Sequence, residues 1–382
     1  MSGLRDSQAF APPYVLNMAA RQRPVHSGLF SAHELADVAN FFRTNPRYST
    51  TPLLDLKSYA RELGVGKLLV KDESKRFGLN SFKILGVSYA VRQLRAKGRL
   101  TNGSVLACVT DGNHGRAVAH VARHLKLPAK VYLPKDACRA RVEAIEREGA
   151  EVRIVEGNYD GALNQMAEDA KANGWLVLAD SAWPGYEEIP HQIMAGYTML
   201  MAEAAEQWEM TPDVVLIQAG CGGLACSVLS WLLHTFRSDR PMVVSCEPSN
   251  AACVLESMRA GSRVSVQGSL ATVMAGLSCG EVSATAWPVF ESGLDASIAI
   301  TDEECAIALR RLARPGPVDP ALTAGEAGAA GIAALSALTR NPDLAPIREA
   351  LRLGPESTVL TINTEGATDP EGYYSVTGVR PD

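Results

Sequence analysis

The chain has 382 residues, 47% of them hydrophobic and 21% charged, and its 37 lysines and arginines against 42 acids leave a net charge of −5. At roughly 150 residues per domain that length predicts two domains with substantial cores, and the ordinary charge fraction excludes disorder, a histone-like nucleic-acid binder, collagen and a coiled coil. The start lacks the basic-then-apolar pattern of a signal peptide, so a cytoplasmic protein without nucleic-acid or membrane partners is expected.

The first 50 residues are rich in Pro, Arg and Phe without clear periodicity, and are expected to wrap the body. Beyond them, apolar runs alternate with helical patterns. In chain order the sequence predicts a strand over 67–70, a helix over 82–96, a strand over 105–109 and a helix over 114–125. A strand over 130–133, a helix over 139–148, a strand over 151–155, a helix over 161–173 and a strand over 176–179 follow. The series closes with a helix over 191–208, a strand over 214–218, a helix over 224–236 and strands over 242–246 and 358–362. Short runs separated by helices of this kind mark βαβ units, so the fold class is α/β with a mostly parallel sheet.

Val214 to Leu233 carries no charge and has the length of a membrane span. Its interior reads differently, because a β-branched run ends at Gln218, Gly220, Gly222 and Gly223 interrupt it, and a helical pattern resumes at Leu224. The eight cysteines are too sparse for a disulfide scaffold and show no Cys-x-x-Cys zinc spacing. Cys253 and Cys279 are the pair considered for a disulfide, against simple burial. His120 and His124 stand one helical turn apart, but Val121 occupies the position where a zinc protease needs Glu, so no metal is expected.

Three clusters carry chemistry. Lys83 falls in the first turn of its helix beside Phe82, Ile84 and Leu85, where the macrodipole and desolvation suit a reactive, Schiff-base-forming amine, although this cluster taken alone reads more readily as a solvated helix-start lysine. Thr110-Asp111-Gly112-Asn113-His114-Gly115-Arg116 follows a strand, at the carboxyl end where α/β proteins place ligands, although an Asx-type helix cap explains Asp111 or Asn113 equally well. Gly220-Cys221-Gly222-Gly223-Leu224-Ala225 joins a strand to a helix, so its N–H groups converge on an anion such as a phosphate. The same loop fits a dinucleotide fingerprint, with Glu247 placed as a ribose-binding acid, which keeps a nicotinamide-dependent oxidoreductase open as an alternative.

A reactive lysine, an Asn-containing strand-end loop and a glycine phosphate loop in that order resemble the fold-type II pyridoxal phosphate (PLP) enzymes, the tryptophan synthase β-like group that includes serine/threonine dehydratases. Longer strings resemble the diaminopropionate ammonia-lyases within it. These are Phe42-Arg43-x-x-Pro46-x-Tyr48-x-x-Thr51-Pro52-Leu53, Arg76 to Lys83, Thr110 to Arg116, Asp180-Ser181-Ala182-Trp183-x-Gly185-Tyr186, Met274 to Glu281, Gly325 to Ala329 and Thr364-Glu365-Gly366-x-Thr368-Asp369. Ala327, Ser181 and Pro184 depart from that pattern.

The resemblance implies two open, mostly parallel twisted sheets flanked by helices, with a large cofactor domain over 1–85 and 196–382 and a small domain over 86–195 inserted in it. It implies that Lys83 carries PLP, Asn113 contacts its 3′-oxygen, Gly220, Cys221, Gly222, Gly223 and Leu224 cradle its phosphate, and Thr364 faces its pyridine nitrogen. The implied reaction is α,β-elimination of 2,3-diaminopropionate, in both L and D forms, to pyruvate and two ammonia. Lys83 is the base on one face and Asp111 on the other, Asp180 keeps the departing amine as ammonium, and Thr110, Asp111, His114 and Asp180 contact the substrate. A serine/threonine or hydroxyaspartate dehydratase is the neighbouring alternative. A homodimer is the implied assembly.

Overall fold

Strands and helices alternate along the chain and sort into two separate sheets in the computed structural model, which describes residues 12–17, 19–21, 28–110, 112–157 and 159–381. The order begins β1 (Tyr14–Leu16), α1 (Ala32–Arg43), β2 (Leu53–Asp55), α2 (Lys57–Leu63), β3 (Lys67–Asp72) and α3 (Lys83–Ala96). It continues β4 (Leu106–Val109), α4 (Asn113–Leu125), β5 (Ala129–Pro134), α5 (Arg139–Arg147), β6 (Glu151–Val155), α6 (Tyr159–Asn173), β7 (Leu176–Val177) and α7 (Glu188–Gln207). The next elements are β8 (Val214–Gln218), α8 (Gly223–Phe236), β9 (Met242–Pro248), α9 (Cys253–Ala260), α10 (Trp287–Gly293), β10 (Ala296–Ile300) and α11 (Asp302–Leu312). The last are α12 (Glu326–Arg340), α13 (Ala345–Ala350), β11 (Thr358–Asn363) and α14 (Pro370–Thr377).

The larger sheet runs β1-β10-β9-β8-β11-β3-β2, parallel from β10 to β3 and closed at both edges by an antiparallel strand. The smaller sheet, β6-β5-β4-β7, is all parallel. Helices cover these sheets as parallel α/β architecture requires. The strands expected from sequence form within two residues of their predicted ends, and β1, β2 and β10 are additions. The N-terminal segment, which showed no periodicity, nevertheless contains α1, opened by a capping box in which Ser31 and Glu34 satisfy each other's backbone N–H. No helix among the described residues is long and apolar enough to cross a membrane; the stretch from Val214 is a buried strand, a glycine turn and a helix.

Two features fix the position of the loop between β3 and α3. The first is the contact of α3 with α7, where Gly86 and Gly196 face each other's helices. A Cβ on Gly196 would stand 2.5 Å from the Leu85 carbonyl, and one on Gly86 would stand 2.7 Å from the Ile193 carbonyl. Only hydrogen at both positions lets the backbones approach so closely.

The second is a buried charge cluster beneath the loop. Arg76 donates to both oxygens of Glu73 and both of Glu203 at 2.7–2.8 Å, and Lys71 pairs with Glu203 from the end of β3. Thr51 and Tyr48 add hydroxyl donors to the same two carboxylates. Burial alone would raise the Glu203 carboxyl, but Arg76 and Lys71 hold it below its ordinary range. Replacing one member strands the others without a partner in a site closed to water, so Arg76→Met is expected to destabilise the fold by about 3–5 kcal/mol. Urea unfolding of the variant against the parent chain measures this.

Candidate active site

The carboxyl ends of β3, β4, β7, β8 and β11 are followed by the segments that held the sequence clusters, so the fold delivers them to one region. Lys83 opens α3, where its ammonium opposes the helix macrodipole. The balancing charge comes from the other sheet: Lys83 Nζ donates to Asp180 Oδ2 at 2.5 Å, just beyond β7. The rings of Phe82 and Tyr197 lie 5.3 and 5.9 Å from Nζ, close enough for cation–π attraction. Burial would raise the Asp180 carboxyl, yet the Lys83 ammonium holds it far below the ordinary carboxylate range.

His114 is buried in the first turn of α4. Its Nε2 donates to the Leu178 carbonyl at 2.7 Å, which fixes the proton on that nitrogen. Nδ1 is left 3.7 Å from Asp180 Oδ2 without a hydrogen-bond partner. Burial keeps the ring's pKa below the usual histidine value, so the imidazole is neutral. Thr110 is also buried, and its Oγ accepts from the Gly112 and Gly115 N–H groups, folding its own loop. Asn113 donates from Nδ2 to Glu365 Oε2. Asp111 lies outside the described residues.

The glycine loop leaves β8 and enters α8 through Gly222, whose φ of 95° is left-handed and whose Cβ, if present, would meet Phe290 at 2.6 Å. Cys221 in this loop is bonded to Cys279. That corrects the pairing considered from sequence: Cys253 is a buried free thiol that donates to the Gly220 carbonyl at 3.4 Å. Sequence separation carries no information on which sulfurs meet, whereas disulfide geometry demands proximity. Glu247, offered as a ribose-binding acid, is fully buried and accepts from the Val254 and Leu255 N–H groups at the start of α9, so it serves that helix and no dinucleotide. His120 pairs with Glu148, and among the described residues no cluster of three or more His, Cys, Asp or Glu is placed to hold a metal.

Thr364 sits just past β11, its hydroxyl accepting from Gln218 Nε2 at 3.3 Å and its carbonyl from the Phe82 N–H at 3.2 Å. Direct contacts therefore link Thr364 to the Lys83 turn, Lys83 to Asp180, and Ser181 Oγ to the Cys221 sulfur at 3.9 Å. Gln218, Tyr197 and Glu365 belong to this network but received no role from the sequence. Glu365 offered a signal, as a carboxylate two residues past a buried strand. Beside the site a cavity of about 180 Å³ is lined by Asn80, Asn113, Arg116, Arg141, Arg147 and Thr368.

Residues 44–365 match the family described as "Pyridoxal-phosphate dependent enzyme", and the chain belongs to it. A diaminopropionate ammonia-lyase of Escherichia coli K12 is 38% identical over 368 residues, 92% of each chain. A crystal structure of the Escherichia coli enzyme in complex with an aminoacrylate-PLP azomethine intermediate superposes with a TM-score of 0.89 at 37% identity, covering 96% of this chain and 97% of that one. The same enzyme in complex with D-serine gives 0.87 at 36%, covering 95% and 96%. Within the PLP enzymes the chain therefore falls among the diaminopropionate ammonia-lyases, and its fold is that of fold-type II.

The residues present fit PLP. A left-handed glycine opens a fourteen-residue helix, the arrangement that receives a phosphate. The buried His114 Nδ1 and Gln218 Oε1 lack hydrogen-bond partners. In the cofactor-free chain the depressed Asp180 contributes stability that is fully present above an unfolded carboxyl pKa of about 3.9 and is lost as pH falls through the folded value. The stability gap between the parent and Asp180→Asn should accordingly hold at neutral pH and narrow below about pH 4, as a pH series of urea unfolding curves would record.

Proposed function

We propose that the chain is a PLP-dependent lyase that eliminates ammonia from 2,3-diaminopropionate and yields pyruvate and a second ammonia. The Lys83–Asp180 pair carries this reading: an amine able to hold the cofactor lies against a carboxylate held ionised. Lys83 would carry PLP, the N–H groups of Gly220, Cys221, Gly222, Gly223 and Leu224 at the start of α8 would take its phosphate, Thr364 would face its ring nitrogen and Asn113 its ring oxygen. Bound there, the cofactor supplies an electron sink for negative charge developing at the amine-bearing carbon.

The protein's own groups do the rest. Lys83, exchanged for the substrate amine, is a base positioned to take the α-proton from one face. Asp111 takes it from the other, which extends activity to the D-isomer; the complex of the Escherichia coli relative with D-serine supports this. Asp180 is too acidic to donate a proton, so it acts as an anion that keeps the departing nitrogen as ammonium. Neutral His114 presents Nδ1 as an acceptor toward the same place. The Thr110–His114 turn would receive the substrate carboxylate, and Arg116, Arg141 and Arg147 give the adjoining cavity a positive lining suited to an amino acid's carboxylate.

The partition into 1–85 with 196–382 and an inserted 86–195 belongs to this reading, supported by the smaller sheet falling wholly within the insert. A homodimer acting in the cytoplasm follows from the family likeness. Purified protein should take up PLP and release pyruvate from L- and D-diaminopropionate faster than from L- and D-serine in a coupled assay. Lys83→Ala should abolish release from the L-isomer, and Asp111→Asn should remove the D-activity while sparing the L-activity. Loss of the L-activity instead would reverse the two faces.

A further inference from the structure

Asn113 and Glu365 reach each other from the two sheets. Asn113 begins α4, after the smaller sheet's β4, and Glu365 follows Thr364 beyond β11 of the larger sheet. Glu365 is 3% exposed and its carboxylate is held on every side. Oε1 accepts from the Ala327 N–H at 3.3 Å in the first turn of α12, and Oε2 accepts from Asn113 Nδ2 and from Thr368 Oγ at 3.4 Å. Thr368 in turn accepts from Arg141 Nε at 3.3 Å, so the chain of donors runs in one direction onto the carboxylate. The Glu365 backbone is fixed as well, pairing with Ser81 two residues before Lys83 and accepting from the Gly325 N–H at 2.8 Å.

The two ends of an asparagine amide have nearly the same shape and opposite hydrogen-bonding sense, and an ionised carboxylate only accepts. Glu365 therefore selects the NH2 end of Asn113, and one of its two N–H bonds remains to be presented elsewhere. We propose that Glu365 is a positioning residue, which orients the Asn113 amide so that an N–H, and not the carbonyl, is offered to the ring oxygen of the bound cofactor. The inference rests on the PLP reading given above. A reversed amide would set an oxygen against an oxygen, so Glu365 governs both cofactor affinity and the proton affinity of that ring oxygen.

The test uses the cofactor itself. PLP is titrated into the cofactor-free parent chain, Glu365→Ala, Glu365→Gln, Asn113→Ala and the double Glu365→Ala/Asn113→Ala. The readouts are the dissociation constant and the pH midpoint of the bound cofactor's visible band. Glu365→Ala should weaken PLP by about tenfold, the scale of one hydrogen bond to a charged group, and raise the midpoint. In the Asn113→Ala background it should add nothing to either. Glu365→Gln, which can present either end of its amide, should fall between the parent and Asn113→Ala, and it carries the test alone should the alanine variant not fold. Variants that match the parent in both readouts while unfolding at lower urea would make Glu365 a cross-link between the sheets and overturn the inference. Additive effects of the two alanine substitutions would also overturn it. A parent chain that takes up no PLP would refute the underlying reading and this inference together.

Discussion

A lysine ammonium at the first turn of a helix is placed against the field, since the unpaired N–H groups there already carry partial positive charge. It can be held only if an anion meets it, and here that anion arrives from a different sheet, 97 residues away in sequence. The Lys83–Asp180 pair is thus the point at which the two halves of the molecule must agree. The long α3–α7 contact, the buried cluster under the lysine loop and the bond from Phe82 to Thr364 all serve to hold the lysine's side of that meeting. On the other side, His114 and Asp180 are seated by the ends of β4 and β7.

The arrangement is costly in isolation. Two carboxylates, a lysine and a guanidinium are removed from water at Glu73, Glu203, Lys71 and Arg76, and only their near-complete mutual pairing offsets the desolvation. What such a cluster supplies is directional: a planar guanidinium gripping two carboxylates admits few geometries, whereas an apolar plug would tolerate many. The loop it supports includes Phe77 and Asn80 in left-handed conformations, which persist because their surroundings leave no alternative.

Much of this was legible in the sequence. β-branched runs between turn residues announced β3 to β9 and β11, since that signal is local. β10 was silent because Ala296-Ser297-Ile298-Ala299-Ile300 has little strand preference of its own and is held by β9 and β1 on either side. α12 was silent for the opposite reason: from Glu326 to Leu338 it is buried all round, so it has no polar face to set a period. The capping boxes of α1 and α11, Ser31 with Glu34 and Thr301 with Glu304, were not read from the sequence, because no apolar periodicity accompanied them. In the site, Lys83, Asn113 and the glycine loop stood out by residue type and position. The Cys221–Cys279 bond and the Asn113–Glu365 contact did not, because both depend on which loops the two sheets bring together.

The N-terminal segment has a further consequence. β1 lies on one margin of the larger sheet and β2 on the other, with α1 between them in the chain. One stretch of chain thus covers both rims of a parallel sheet whose interior strands are almost wholly buried. Strands of three residues, running against their neighbours, offer an incoming chain almost no ladder to extend. The segment thereby acts as a guard against sheet-to-sheet growth, keeping a β-rich interior from templating its own aggregation.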